Sequence, residues 1–345
     1  MNEQEKINFK KEHNDRMRKA RANIKPSNCM LCGKPITSFC NSHSVPKFSL
    51  KYIANDGELL RASVLADPEK INVSSGLKNT GTFHLICNEC DGTFFQDYES
   101  EEKLKGELSD KILAQIAVKN VLIQLFNKKL EISYIRIFQN ETNLFANFAD
   151  YEATRQFDVN TYIKEFEFHK NIAENSISGG YQIIYHEILP YKIPIAFQGM
   201  IAMKNDFIGQ RINELHNFKD LSYKIQHLHI LALPFENESC VLAFYHKTDR
   251  NYQKLRHYFN SISRDEKLKC LNYLILEYAE NYFFSSKIYK ELETNKYLKQ
   301  LSREANGRPD FGLLAEENSY GIGYKPVTKD DIPIFLSKEW ALNSI

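Results

Sequence analysis

Between Asn28 and Leu50 the chain reads NCMLCGKPITSFCNSHSVPKFSL, and between His84 and Gly92 it reads HLICNECDG. Cys29 and Cys32 make one C-x-x-C pair, and Cys87 and Cys90 make a second. Such a pair presents two sulfurs from one tight turn, and two pairs close a tetrahedral site. Gly33 and Gly92 follow the two pairs, where a tight turn favours glycine. The four cysteines are expected to hold one structural Zn²⁺, with a redox dithiol or an iron–sulfur centre as competing readings of the same spacing. The interval from Cys32 to Cys87 is longer than a simple zinc ribbon uses, so something further is expected inside it.

Cys40 and His43 stand in the same stretch. Four cysteines already saturate a closed site, so Cys40 reads as a small buried residue, as do Cys240 and Cys270 further on. His43 has three readings: a general base, a satisfied structural histidine, or a zinc ligand in place of a cysteine. Asp91, next to the second pair, reads as a ligand for a hard cation or as the cap of a following helix. Glu99 is the second carboxylate candidate, ahead of Asp97, on a helix expected to begin after Gly92.

Outward from this module the character of the chain changes twice. Residues 1–27 read as a basic helical arm, carrying Lys10, Lys11, Arg16, Arg18, Lys19 and Arg21 and closed by Pro26. It is either a solvated, loosely attached helix or a contact for nucleic-acid phosphates. Residues 28–104 are turn-rich, and residues 105–345 read as a larger α+β domain. In LSDKILAQIAVKNVLIQLF, Ile112, Ile116, Leu122 and Phe126 recur at helical spacing, with Ser109 or Asp110 as the cap. A second helix is expected over ETNLFANFADYEATRQF, and a third over RDEKLKCLNYLILEYAENYFF. YQIIYHEIL, IPIAFQGMIAM, SYKIQHLHILALPF and SCVLAFYHK are rich in β-branched and aromatic residues and read as strands, with PFENES a hairpin loop. The stretch from Asn306 to Phe335 reads as loop.

With 345 residues, 43% of them hydrophobic and 26% charged, the chain has material for a sizeable core. A formal net charge of +1 makes any nucleic-acid surface a local patch. No apolar run is long enough for a bilayer span and the N-terminus lacks an apolar leader, so a cytoplasmic protein with reduced cysteines is expected.

The order C-x-x-C, SHSVPK, then LICNECDGTFF resembles the zinc-knuckle branch of the HNH, or His-Me finger, endonucleases. Cys29, Cys32, His43, Pro46, Ile86, Cys87 and Cys90 carry the resemblance, which covers about residues 28–100. It implies a small zinc-stabilised ββα, treble-clef-like module ahead of the larger mixed α+β domain. It also implies phosphodiester hydrolysis on DNA or, as the alternative, RNA. His43 would take a proton from water, while Mg²⁺ or Mn²⁺, held by Asp91 and with Glu99 as further ligand, would stabilise charge at the phosphate. Two positions depart from the family: Ser42 stands where an acidic residue precedes the histidine, and Thr82 lies near the central asparagine. These departures carry the alternative, a non-catalytic zinc-stabilised module that binds nucleic acid or protein. A nuclease finger joined to an unrelated domain points by analogy to prokaryotic defence, and residues 105–345 are where a protein partner or a second copy would bind.

Other candidates are weaker. His227 and His229 share one face of a strand and suit either a metal or a surface or pocket face. Glu277 and Glu280 lie three apart on a helix, as a carboxylate pair or a solvated edge. Phosphate-loop, dinucleotide-binding and nucleophile-elbow motifs are absent.

Overall fold

The computed structural model describes residues 3–36, 38–61, 76, 77, 80–142, 149–215, 223–279, 281–307 and 327–342. The fold is α+β. Helix α1 spans Glu3–Asn23. Strand β1 (Ser42–His43), helix α2 (Lys47–Ile53) and strand β2 (Leu59–Arg61) follow. Strand β3 (Thr82–Phe83) pairs antiparallel with β1, placing Ser42 opposite Phe83 and His43 opposite Thr82. Helices α3 (Asn88–Phe94) and α4 (Glu101–Lys105) come next, the latter capped by the Ser100 hydroxyl.

Two long helices, α5 (Asp110–Thr142) and α6 (Ala149–Asn175), pack along each other. Ser109 caps α5 by accepting from the Ile112 N–H at 3.4 Å. Asp110 instead turns outward to accept N–H groups of Gly180 and Tyr181, fixing the loop that leads out of α6. Strands β4 (Tyr181–Leu189), β5 (Ile195–Ile201), β6 (Leu228–Pro234) and β7 (Ser239–His246) follow, then α7 (Tyr252–Ser261) and α8 (Arg264–Tyr278). Strand β8 (Tyr282–Ser285) and helices α9 (Tyr289–Thr294) and α10 (Lys296–Gly307) complete the strands and α-helices among the described residues.

The main sheet has six antiparallel strands in the order β2-β8-β5-β6-β7-β4. Successive strand side chains point to opposite faces. Leu231, Leu233, Leu242 and Phe244 join α5, α6 and the cysteine module in one core, while Ile230, Ala232, Val241 and Ala243 join α7 and α8 in another. Helices on both faces explain why β5, β6 and β7 are buried at every position.

Several sequence expectations are corrected. The helix expected to run through Phe284 stops at Tyr278, and Tyr282–Ser285 is a strand between β2 and β5. Its aromatic side chains fill the core from an extended chain, where tertiary pairing overrides the local helical pattern. The long interval between the cysteine pairs contributes β2 to the edge of the main sheet, through Leu59, Leu60 and Arg61 against Ser285, Phe284 and Phe283. The helix after the second knuckle begins at Asn88, before Gly92, and ends at Phe94, so Asp97 and Glu99 lie in the turn beyond it. Of the stretch ETNLFANFADYEATRQF, residues 143–148 lie outside the described residues, α5 includes its start and α6 its end. Asn306 and Gly307 close α10, and residues 308–326 lie outside the described residues. No helix among the described residues is long and apolar enough to cross a membrane.

The basic arm is held down. Arg16 is 7% exposed; it bonds Glu141 at 2.8 Å and Glu12 at 3.1 Å, and its guanidinium lies over the Phe138 ring. Lys19 bonds Glu141 at 2.8 Å and Asp15 at 3.1 Å. These bonds to Glu141 join α1 to α5, reinforced by His13 with Tyr134 and Asn23 with Ser133. The arm is therefore not loosely attached, because its buried cation and Ala20 are part of the core.

Candidate metal centre and the buried lysine beside it

Two turns and one bridge assemble the cysteine module. Gly33, at φ +71°, lets the first knuckle close, with its N–H donating to the Cys29 carbonyl at 2.8 Å. The Met30 N–H donates to Leu85 O at 3.1 Å, and Phe39 bridges to Cys87, so the two knuckles are tied through backbone. The Cys87 N–H donates to Cys29 Sγ at 3.3 Å. The four sulfurs of Cys29, Cys32, Cys87 and Cys90 all lie within 4.8 Å of one another, with Cys32 and Cys87 4.0 Å apart. Zn–S bonds of about 2.3 Å in a tetrahedron set sulfurs roughly 3.8 Å apart, so this cluster can hold a metal ion after closing by up to about 1 Å. Burial, with hydrogen bonds among the thiols, pushes the Cys90 thiol well above its ordinary range. A bound cation reverses that cost by favouring the thiolates.

His43 is not part of this cluster. It ends β1, half-buried, and its Nε2 lies 3.0 Å from the Leu77 carbonyl. A carbonyl only accepts, so Nε2 carries the proton and Nδ1 keeps the lone pair. Burial lowers the His43 pKa, and the Lys47 and Lys119 charges add to that, so the ring is neutral near pH 7.

Asp91 is not the helix cap; Cys87 occupies that position, and the Asp91 N–H donates to the Cys87 carbonyl at 3.0 Å. The Asp91 carboxylate turns back toward β1. Its Oδ1 accepts from Ser42 Oγ at 2.6 Å and from Lys119 Nζ at 2.8 Å, and its Oδ2 accepts from the Cys40 thiol at 3.3 Å. Burial acts to raise the Asp91 pKa, but the Lys119 charge and these bonds outweigh it and hold it below the usual carboxylate range. Cys40 is half-buried and its thiol is pushed up to about 12 by burial and the Asp91 charge.

Lys119, on α5, is a residue that the sequence motifs did not single out. Its side chain is 1% exposed, and its ammonium also bonds Glu99 Oε1 at 3.2 Å and Ser42 Oγ at 3.1 Å and sits 3.9 Å from the Phe95 ring centroid. Three N–H donors meet three oxygen acceptors, and the ring face closes the remaining side. Asp91 and Glu99 thus converge on an ammonium. Among the described residues, the four cysteines are the only group of three or more histidine, cysteine and carboxylate donors placed to hold a metal, so His43, Asp91 and Glu99 do not form a second one. A signal for Lys119 existed: from Ile112 to Ile123 the helix is apolar except for Gln115, Lys119 and Asn120, and Gln115 and Lys119 lie four apart. Gln115 and Lys119 share a face. Both are buried and both meet the turn after α3, Gln115 through Asp97 at 3.1 Å.

Exposed cations lie at and beside the module. Arg21, Lys25 and Lys34 are exposed, Lys25 Nζ is 5.2 Å from the Phe39 ring centroid, and the Phe39 and His84 rings meet edge-on at 6.3 Å. Burial, then the Lys25 and Arg21 charges, lower the His84 pKa.

His227 and His229 are buried rather than on a surface or pocket face. His227 Nδ1 meets Glu165 Oε1 at 3.2 Å, and His229 Nδ1 meets the Asn120 amide at 3.1 Å. The strand lies under α5 and α6, which explains the burial. Of the carboxylate pair expected on α8, Glu280 lies outside the described residues. Compared with known protein families, curated proteins and solved structures, the chain matches none.

Proposed function

We propose that residues 28–104 are a zinc-stabilised, HNH-like finger that grips nucleic acid, DNA ahead of RNA, without metal-dependent cleavage. In this reading the arm of residues 1–27 braces the finger, and residues 105–345 recognise or regulate. Zn²⁺ is held by Cys29, Cys32, Cys87 and Cys90, which supply the soft thiolate set that it prefers. The observation that carries the non-catalytic reading is the Lys119 ammonium, bonded to Ser42, Asp91 and Glu99 where the resemblance implies Mg²⁺ or Mn²⁺. Arg21, Lys25 and Lys34, with Phe39 beside Lys25, supply phosphate contacts and a ring for base stacking.

A second reading, a metal-dependent endonuclease of prokaryotic defence, draws its support from His43, whose neutral ring keeps Nδ1 as a proton acceptor. One experiment separates the two. The zinc-loaded chain is incubated with DNA and with RNA, in Mg²⁺ and in Mn²⁺, beside His43→Ala, and its binding is followed against salt. Binding with a steep salt slope and no His43-dependent cleavage is the expected result. The double substitution Arg21→Gln with Lys25→Gln flattens the log–log slope by about 0.9 for each duplex phosphate that it leaves without a cation. Cleavage that His43→Ala abolishes moves the finger to the endonuclease reading.

A further inference from the structure

We infer that the second cation of this finger is Lys119 itself: a tethered ammonium fills the position beside His43 and keeps divalent metal out. The inference rests on the HNH-like reading of residues 28–100, which locates that position at residue 42 and at the residue after the second knuckle. Both of those residues, Ser42 and Asp91, bond the same ammonium, at 3.1 and 2.8 Å. Glu99, the remaining carboxylate candidate, bonds it at 3.2 Å.

The donor set suits an ammonium better than a divalent ion. Lys119 is a monovalent cation with three protons, and it finds three oxygen acceptors. The serine fits this arrangement because a hydroxyl both accepts and donates: Ser42 Oγ takes a hydrogen bond from Lys119 and gives its own to Asp91 Oδ1. A carboxylate at residue 42 would instead be a third negative charge around a single positive one. Mg²⁺ and Mn²⁺ favour six oxygen ligands, and the 3.9 Å approach of the Phe95 ring to Nζ puts an apolar wall on one side. A divalent ion entering beside the ammonium would meet its charge at short range in a poorly solvated site. Lys119 is drawn from α5, outside the cysteine module, so the same bonds fasten finger to helix.

The test uses Mn²⁺ alone on the zinc-loaded full chain. Free Mn²⁺ is counted by electron paramagnetic resonance, and paramagnetic broadening of the His43 ring protons is read by NMR. The parent is expected to leave the His43 signals sharp. Lys119→Met, close in length and uncharged, is expected to bind Mn²⁺ at least tenfold more tightly than the parent, to broaden His43, and to gain thermal stability with Mn²⁺. Adding Asp91→Asn to Lys119→Met removes that gain. Lys119→Arg keeps the charge and continues to exclude Mn²⁺. Broadening of His43 in the parent at the concentrations that saturate Lys119→Met overturns the inference, as does a folded Lys119→Met that gains no affinity. If Lys119→Met does not fold, the parent and Lys119→Arg spectra decide. These readouts are independent of nucleic-acid binding, so failure of the proposed function leaves a different signature.

Discussion

The Nε2 of His43 donates to the Leu77 carbonyl at 3.0 Å, and His43 takes no part in the four-sulfur cluster. The bond fixes the tautomer and ties residue 77 to the end of β1. His43→Ala is therefore expected to keep full zinc stoichiometry and native circular dichroism, while removing the hydrogen bond to residue 77. Elemental analysis checks it: a fall toward zero zinc would restore the ligand role. His43→Gln, which can still donate to a carbonyl, is expected to resist cleavage near residue 77 better than His43→Ala.

Zinc removal acts on a wider region than the knuckles. The Cys29 thiol accepts from the Cys87 N–H, and Phe39 bridges Cys87, so the metal, both knuckles and the start of α3 form one unit. Cys32→Ser and Cys87→Ser are each expected to lose zinc and to make residues 28–100 sensitive to protease, since structural zinc supplies folding free energy to the segment it binds. Helix α3 carries Asp91, so the bonds among Ser42, Asp91 and Lys119 loosen with it. A chelator-treated sample with unchanged proteolysis would show that the backbone holds the module alone.

Gly81 gives a local test of how the ribbon meets the main sheet. It has φ +62°, and a Cβ there would lie 2.6 Å from Phe283 Cζ and 2.8 Å from Ser44 Oγ. Its carbonyl accepts from the Ser44 N–H at 2.9 Å, one residue from His43. Gly81→Ala combines a left-handed backbone penalty with overpacking, together roughly 2–4 kcal/mol of destabilisation in urea unfolding. Adding Phe283→Leu relieves part of the clash, and a double variant no more stable than the single one would put the cost on the backbone alone.

How much of this was legible in the sequence follows how local each signal was. The cysteine pairs, the Ser109 cap, the four long strands and their hairpin are set by residues within a few positions of one another. The strands β2 and β8 were not legible, because they are short and gain their structure by pairing between distant parts of the chain, Leu60 with Phe284. Lys119 is hard to read locally for a related reason: its partners Ser42, Asp91 and Glu99 come from another part of the chain, and within α5 it is one of several polar residues, with Gln115 and Asn120, in an apolar stretch. The candidate site was thus half readable. The sequence named the carboxylates but not the cation that they hold.

Acid is expected to destabilise the larger sheet through its buried histidines. His169, from α6, meets His229 of β6 and His246 of β7 with ring centroids 5.6 and 6.1 Å away, and its Nδ1 lies 2.6 Å from the Tyr181 hydroxyl. Burial first, then the charges of neighbouring histidines and Lys224, lower the pKa values of His169 and His229. Burial, with Lys224 and Lys247, lowers that of His246, although Asp249 and Asp110 act the other way. A base whose folded pKa lies below its unfolded value binds more protons when unfolded. Its stabilising contribution is complete above the unfolded value, about 6.5, and is lost as pH falls toward the folded one. His227 runs in the opposite direction: burial lowers its pKa, but Glu165 outweighs that and raises it, so its contribution is present below about 6.5 and lost as pH rises through the folded value. Three groups outnumber one, so the urea midpoint is expected to fall between about pH 7.5 and about pH 5, well above the range where Asp91 protonates. His229→Phe keeps a ring stacked on Phe244, which lies 4.9 Å away, and removes one titrating group, so its midpoint should depend less on pH than the parent's. An equal or steeper dependence in that variant would place the acid sensitivity outside the cluster.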